Sequence, residues 1–75
     1  MKTFIIEATF ENNNAEQCSV IIGKSLAKDK IEAYENMCNK YKNKNEYEIS
    51  RLHNGGNSVH YVEFFYHDLD EMETI

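Results

Sequence analysis

The sequence has no proline and only two cysteines in 75 residues. Without proline, no ring locks the backbone into a break or marks a rigid linker. No repeat or second domain is visible. The two cysteines, Cys18 and Cys38, make no disulfide framework and lack the close spacing of a metal-binding pair. Each falls on an apolar stripe, where a free thiol packs as a small hydrophobe. Long apolar runs are missing too: none approaches the roughly 18 residues a membrane-spanning helix needs. The N-terminal apolar stretch turns acidic at Glu7, too soon for the core of a signal peptide. The expectation is a cytoplasmic chain with no membrane attachment.

A chain of this length makes one domain and buries only about 60% of its unfolded surface. It cannot hold both a core and a deep cleft. With 41% hydrophobic and 28% charged residues it is not disordered in bulk. The net charge is −5, and Asp68, Asp70, Glu71 and Glu73 crowd the C-terminal end. Residues 1–67 therefore read as a single, nearly neutral domain and 68–75 as an acidic tail.

Periodicity gives the elements. Phe4, Ile6, Ala8 and Phe10 alternate with Ile5, Glu7, Thr9 and Glu11, the pattern of a half-buried strand. Cys18, Val20 and Ile22 repeat it. A loop at 12–16 would pair Phe10 with Cys18 and Ile6 with Ile22. Ala27, Ile31, Tyr34, Cys38 and Tyr41 then follow helical spacing, with Ser25 or the Asp29/Glu32 pair as cap. Residues 46–53 and 58–67 read as a second hairpin around Asn54-Gly55-Gly56-Asn57, whose residues tolerate the positive φ of hairpin turns. The order is ββαββ: an α+β fold with a four-stranded, antiparallel-rich sheet and one helix packed on one face.

Reactive constellations are sparse. Gly23-Lys24-Ser25 resembles the end of a phosphate-binding loop, but Cys18 stands where that motif needs glycine, and the chain is too short for a nucleotide-binding sheet. His53, His60 and His67 cannot converge within one hairpin, since His67 falls at its far end on the opposite face; a metal needs three or four ligands together. No serine or cysteine has an assignable histidine base and orienting group. No catalysis, no metal and no cofactor are expected.

Parity sorts the strand residues into two faces. The helix-facing set, with Tyr47, Ile49, Val62, Phe64 and Tyr66 added to the residues above, contains no acid. The opposite set holds Ile5, Glu7, Thr9, Glu11, Ser19, Ile21, Glu46, Glu48, Ser50, Leu52, Val59, Tyr61, Glu63 and Phe65. One helix covers one face only, so this mixture of glutamates and large apolar side chains has the look of an interaction surface. Its flat footprint of roughly 400 Å² falls below the 800 Å² or so that one partner contributes to a standard interface.

The small size, the acidity, the composition rich in Asn, Lys and Ile, and the lack of a catalytic motif resemble small phage-encoded anti-defence proteins, such as anti-CRISPR and anti-restriction inhibitors. The resemblance implies a non-catalytic inhibitor that occludes a basic, nucleic-acid-binding site on a protein partner. Glu7, Glu11, Glu46, Glu48 and Glu63 would meet Lys or Arg, with Tyr61 and Phe65 as anchors. Two alternatives use other chemistry. A homodimeric structural or adaptor protein would pair through the same face. A small nucleic-acid binder would use Lys24, Lys28, Lys30, Lys40, Lys42 and Lys44, which flank the helix.

Overall fold

In a computed structural model that describes residues 1–71, the elements run in the order ββααβ. The first strand, β1 (Lys2–Glu11), obeys its alternation: Phe4, Ile6, Ala8 and Phe10 are buried, and the residues between them stay partly open. The turn to β2 (Gln17–Ala27) is tied by Asn12, whose Oδ1 accepts from the backbone N–H of Asn14 at 2.9 Å and of Glu16 at 3.0 Å. The two strands pair antiparallel with Phe10 opposite Cys18, as the alternation predicts. The expected pairing of Ile6 with Ile22 slips by one. A bulge leaves Ile22 as an extra residue, buried in the core, and sets Gly23 opposite Ile6; such a bulge shifts the parity of everything after it.

Because β2 runs on to Ala27, Gly23-Lys24-Ser25 lies in extended strand and not in a loop before a helix. The helix α1 (Lys30–Lys40) starts at Asp29, whose carboxylate accepts from the Glu32 N–H at 2.8 Å. Asp29 is therefore the cap, and Ser25 is not. At the other end, the Asn43 N–H reaches the Cys38 carbonyl at 2.8 Å while Lys42 (φ 54°) and Asn43 (φ 62°) turn left-handed. This hydrogen-bonded closure of a helix end is one that glycine usually supplies.

Residues 46–53 do not form a strand. Glu46–Leu52 is a second helix, α2, so the sheet has three strands and the fold two helices. The cause is a reciprocal cap. The Asn45 side chain accepts from the Glu48 N–H at 2.8 Å, and the Glu48 carboxylate accepts from the Asn45 N–H at 3.3 Å. Two otherwise orphaned donors are satisfied locally. The Gly55-Gly56 signal closes this helix: Gly56, at φ 82°, donates to the Arg51 carbonyl at 2.8 Å. Ile49 is buried as expected, whereas Tyr47, expected beside it, is exposed.

The last strand, β3 (His60–Asp68), pairs antiparallel with the free side of β1, giving the order β2-β1-β3. Met37 of α1 and Ile49 of α2 join Ile6, Ala8, Phe10, Ile22 and Val59 in one core, while Ala33 packs with Phe4 and Ala27 in a smaller one. Both helices thus cover the same face of the sheet. Val59, expected on the opposite face, lies in the core just before β3. Asp68, expected to open the acidic tail, ends β3 instead: it is buried and meets Lys2 Nζ at 3.2 Å. Leu69–Glu71 follow as a single 3-10 turn, and Glu73 lies outside the described residues. No helix among the described residues is long and apolar enough to cross a membrane.

The extents, 37 × 34 × 16 Å, are those of a plate. Its radius of gyration, 12.9 Å, exceeds the roughly 11 Å expected of a rounded domain this long. The described residues form two layers, the sheet and the helices on one side of it, and none of them packs on the far side.

Candidate interaction face

Residues directly opposite on paired strands share a face, so the register assigns the uncovered side residue by residue. Across the sheet from β2 through β1 to β3, the rows are Lys24, Ile5 and His67; Ile21, Glu7 and Phe65; Ser19, Thr9 and Glu63; and Gln17, Glu11 and His60. Leu26 extends the surface beside Thr3. One end is apolar: Ile21 is 59% exposed, Leu26 63% and Phe65 40%. The other end is polar, with Glu11 and Glu63 as its acids.

Glu7 sits between the two ends and ties the three strands together. Its carboxylate accepts from the Ser19 hydroxyl on β2 and faces His67 Nε2 on β3 at 2.8 Å. The hydrogen bond from Ser19, then that from His67, holds its pKa below the ordinary 4.5. The Phe65 ring stacks on His67 with centroids 6.2 Å apart. Hydrogen bonds to a charged carboxylate favour the ionised form, so this glutamate stands as a fixed charge inside an apolar border.

Tyr61 is the most exposed aromatic at 77% and has φ 54°. It occupies a second bulge, where the register of β3 against β1 shifts between Thr9 and Glu11. A left-handed tyrosine costs about 1–2 kcal/mol relative to an ordinary strand residue, and strain of this kind collects at binding sites.

Of the seven residues expected to form the site, Glu7, Glu11, Glu63 and Phe65 share the open face, and Tyr61 stands at its rim. Glu46 and Glu48 do not. Both belong to α2, in the opposite layer: Glu48 is occupied by the cap, and Glu46 is half-buried, its pKa raised by burial. Ser50 and Leu52 move with them; the Ser50 hydroxyl is buried and has no hydrogen-bond partner among the described residues. Lys24, Leu26 and His60 join the face although the sequence parity did not place them there, and His67 lies on it in phase with Glu63 and Phe65. The bulges at Ile22 and Tyr61 account for most of that change. The continued alternation of Lys24 and Leu26 with Ser25 and Ala27 was the legible signal, obscured by the expectation of a helix starting near Ser25.

His60 and His67 share a face after all but lie at opposite ends of β3, and His53 pairs with Tyr41 Oη at 3.0 Å on the helix layer. Among the described residues, no three His, Cys, Asp or Glu side chains converge as metal ligands. A hollow of about 470 Å³ lies at the rim beside Thr3, Lys24, Ser25, Leu26 and Asn36. It gathers one charged group and no acid–base pair. The flanking lysines, Lys28, Lys30, Lys40, Lys42 and Lys44, are exposed, and Lys40 lies 5.8 Å from the Tyr41 ring centroid. No known protein family, curated protein or solved structure matches the chain.

Proposed function

We propose that the chain is a non-catalytic protein-binding inhibitor that lays its open sheet face on a basic, nucleic-acid-binding site of a protein partner. The observation that carries this is the uncovered side of β2-β1-β3. There Ile21 and Phe65 stand exposed in the row of Glu7, Leu26 stands exposed beside Thr3, and Glu63 lies in the next row with Thr9 and Ser19. Apolar anchors supply affinity where water is excluded, and bordering acids steer a basic partner and fix its orientation. The hollow beside Leu26 would take one side chain from the partner. Phage anti-defence inhibitors of the anti-CRISPR and anti-restriction type act in this way, and the small, acidic character of the chain agrees with that class.

The test is competition. The chain is added to basic nucleases of phage-defence systems holding labelled duplex, and displacement of the duplex is followed. Ile21→Ser with Phe65→Ser should abolish displacement while the circular dichroism stays unchanged. Glu7→Gln with Glu63→Gln should slow association at low salt and matter little at high salt. If the chain alone instead forms a complex with nucleic acid that weakens steeply with salt, the exposed lysines are the working surface and the proposal fails.

A further inference from the structure

The two edges of the sheet are unlike. Edge strands of stable monomers carry lysine, proline or a covering segment, because their free N–H and C=O groups template pairing with another chain. β2 has such protection: Lys24 lies on it, and Asn36 of α1 donates to the Leu26 carbonyl at 3.2 Å. β3 does not. Its sequence, HYVEFFYHD, holds neither lysine nor proline, and among the described residues β1 is its only strand partner. Its helix-facing Val62, Phe64 and Tyr66 pack against the core yet stay half-buried, whereas their counterparts on β1 are buried.

We propose that two copies of the chain join antiparallel along the free edges of β3, making one six-stranded sheet centred on Phe65. Charge selects the register. Any register that keeps both helix layers on one side pairs odd residues with odd. Centring on Glu63 sets two glutamates face to face, which repels. Centring on Phe64 sets Glu63 against Phe65. Centring on Phe65 sets Phe65 against its own copy and Glu63 against His67 of the second copy, twice by symmetry. His67 suits that role: Nε2 is turned to Glu7, which leaves Nδ1 for a second carboxylate. The Tyr61 bulge twists the start of the strand and confines pairing to Val62 onward. Joined so, the open faces form one surface of roughly 800 Å², the share one partner brings to a standard interface. The dimer does not depend on the docking proposal, because it is measured on the free chain.

Light scattering on the unmodified chain at high micromolar concentration should give the mass of two 8.8 kDa chains. Glu63→Lys should weaken the dimer about tenfold by replacing the carboxylate acceptor opposite His67 with an ammonium group that can only donate. Under mild oxidation Phe65→Cys should give disulfide-linked dimer much faster than Ile21→Cys, which puts a similarly exposed thiol on the far strand. Backbone amides of Val62–His67 should gain hydrogen-exchange protection as the chain is concentrated, a readout that needs no variant. A monomer at every concentration overturns the proposal. So does a dimer indifferent to Glu63→Lys in which both cysteine variants link equally fast.

Discussion

The two faces of β1 carry the same backbone and opposite fates. Ile6, Ala8 and Phe10 point into the core built with Met37 and Ile49, and Phe4 into the smaller one with Ala27 and Ala33. Ile5, Glu7, Thr9 and Glu11 point to a side where no described element packs. The first face spends its side chains on stability, since a buried Phe or Ile contributes about 1.5–3 kcal/mol by leaving water. The second face holds comparable apolar chemistry in Ile5, Ile21 and Phe65 and gains little from it in the single chain. A surface that exposes such groups beside hydrogen-bonded charge is organised for contact, not for folding.

Five substitutions sharpen that contrast. The largest effect is expected at the covered face. Phe10→Ala should destabilise the chain by about 3–5 kcal/mol, and Phe64→Ala, half-buried on the edge strand, by about 2 kcal/mol; urea unfolding followed by circular dichroism measures both. Equal losses at the two sites would mean that β3 is as enclosed as β1. Asn45→Ala removes the reciprocal cap of α2 and should cost about 1 kcal/mol, with loss of helical signal. No loss would return residues 46–52 to the strand expected from their alternation.

The open face should respond to acid. The lowered pKa of Glu7 means that its bonds to Ser19 and His67 contribute stability that is fully present above its ordinary value of 4.5. That contribution is lost as pH falls through the lowered folded value. Glu7→Gln should lower the urea midpoint near neutrality and flatten this part of its curve against pH, so that variant and wild type converge in acid. An unchanged acid limb would show that the carboxylate is not held as described. The smallest effect is expected from Ile21→Ser, within about 0.5 kcal/mol of wild type. A loss like that of Phe10→Ala would mean that the face is already covered in the free chain.

The N-terminal hairpin was legible because its alternation and its Asn-rich turn agree, and Phe4 through Phe10 fell on the expected side. The middle of the chain was ambiguous. Glu46-Tyr47-Glu48-Ile49 alternates like a strand, and only Asn45 and Glu48, three residues apart, carried the opposing helical signal. Local capping won, and with it Glu46 and Glu48 left the candidate face. The rest of the error came from counting parity without bulges. Ile22 and Tyr61 each insert one residue, which no tally of odd and even positions can register, and so Leu26 and His60 were hidden while Val59 was misplaced.

The central position of β1 has a consequence for synthesis. The chain's first strand touches both of the others, yet β2 follows within six residues of its end and β3 ends only at Asp68. A growing chain can close the β1–β2 hairpin early. It must then carry the other side of β1, with Phe4, Ile6 and Phe10 still uncovered, until both helices and β3 have emerged. Pairings between residues so far apart in sequence close slowly, and unpaired edges at this stage invite capture by other strands. Folding of this small plate is expected to wait on its C-terminal strand, so that truncation before β3 would leave a hairpin exposed along its strongest apolar row.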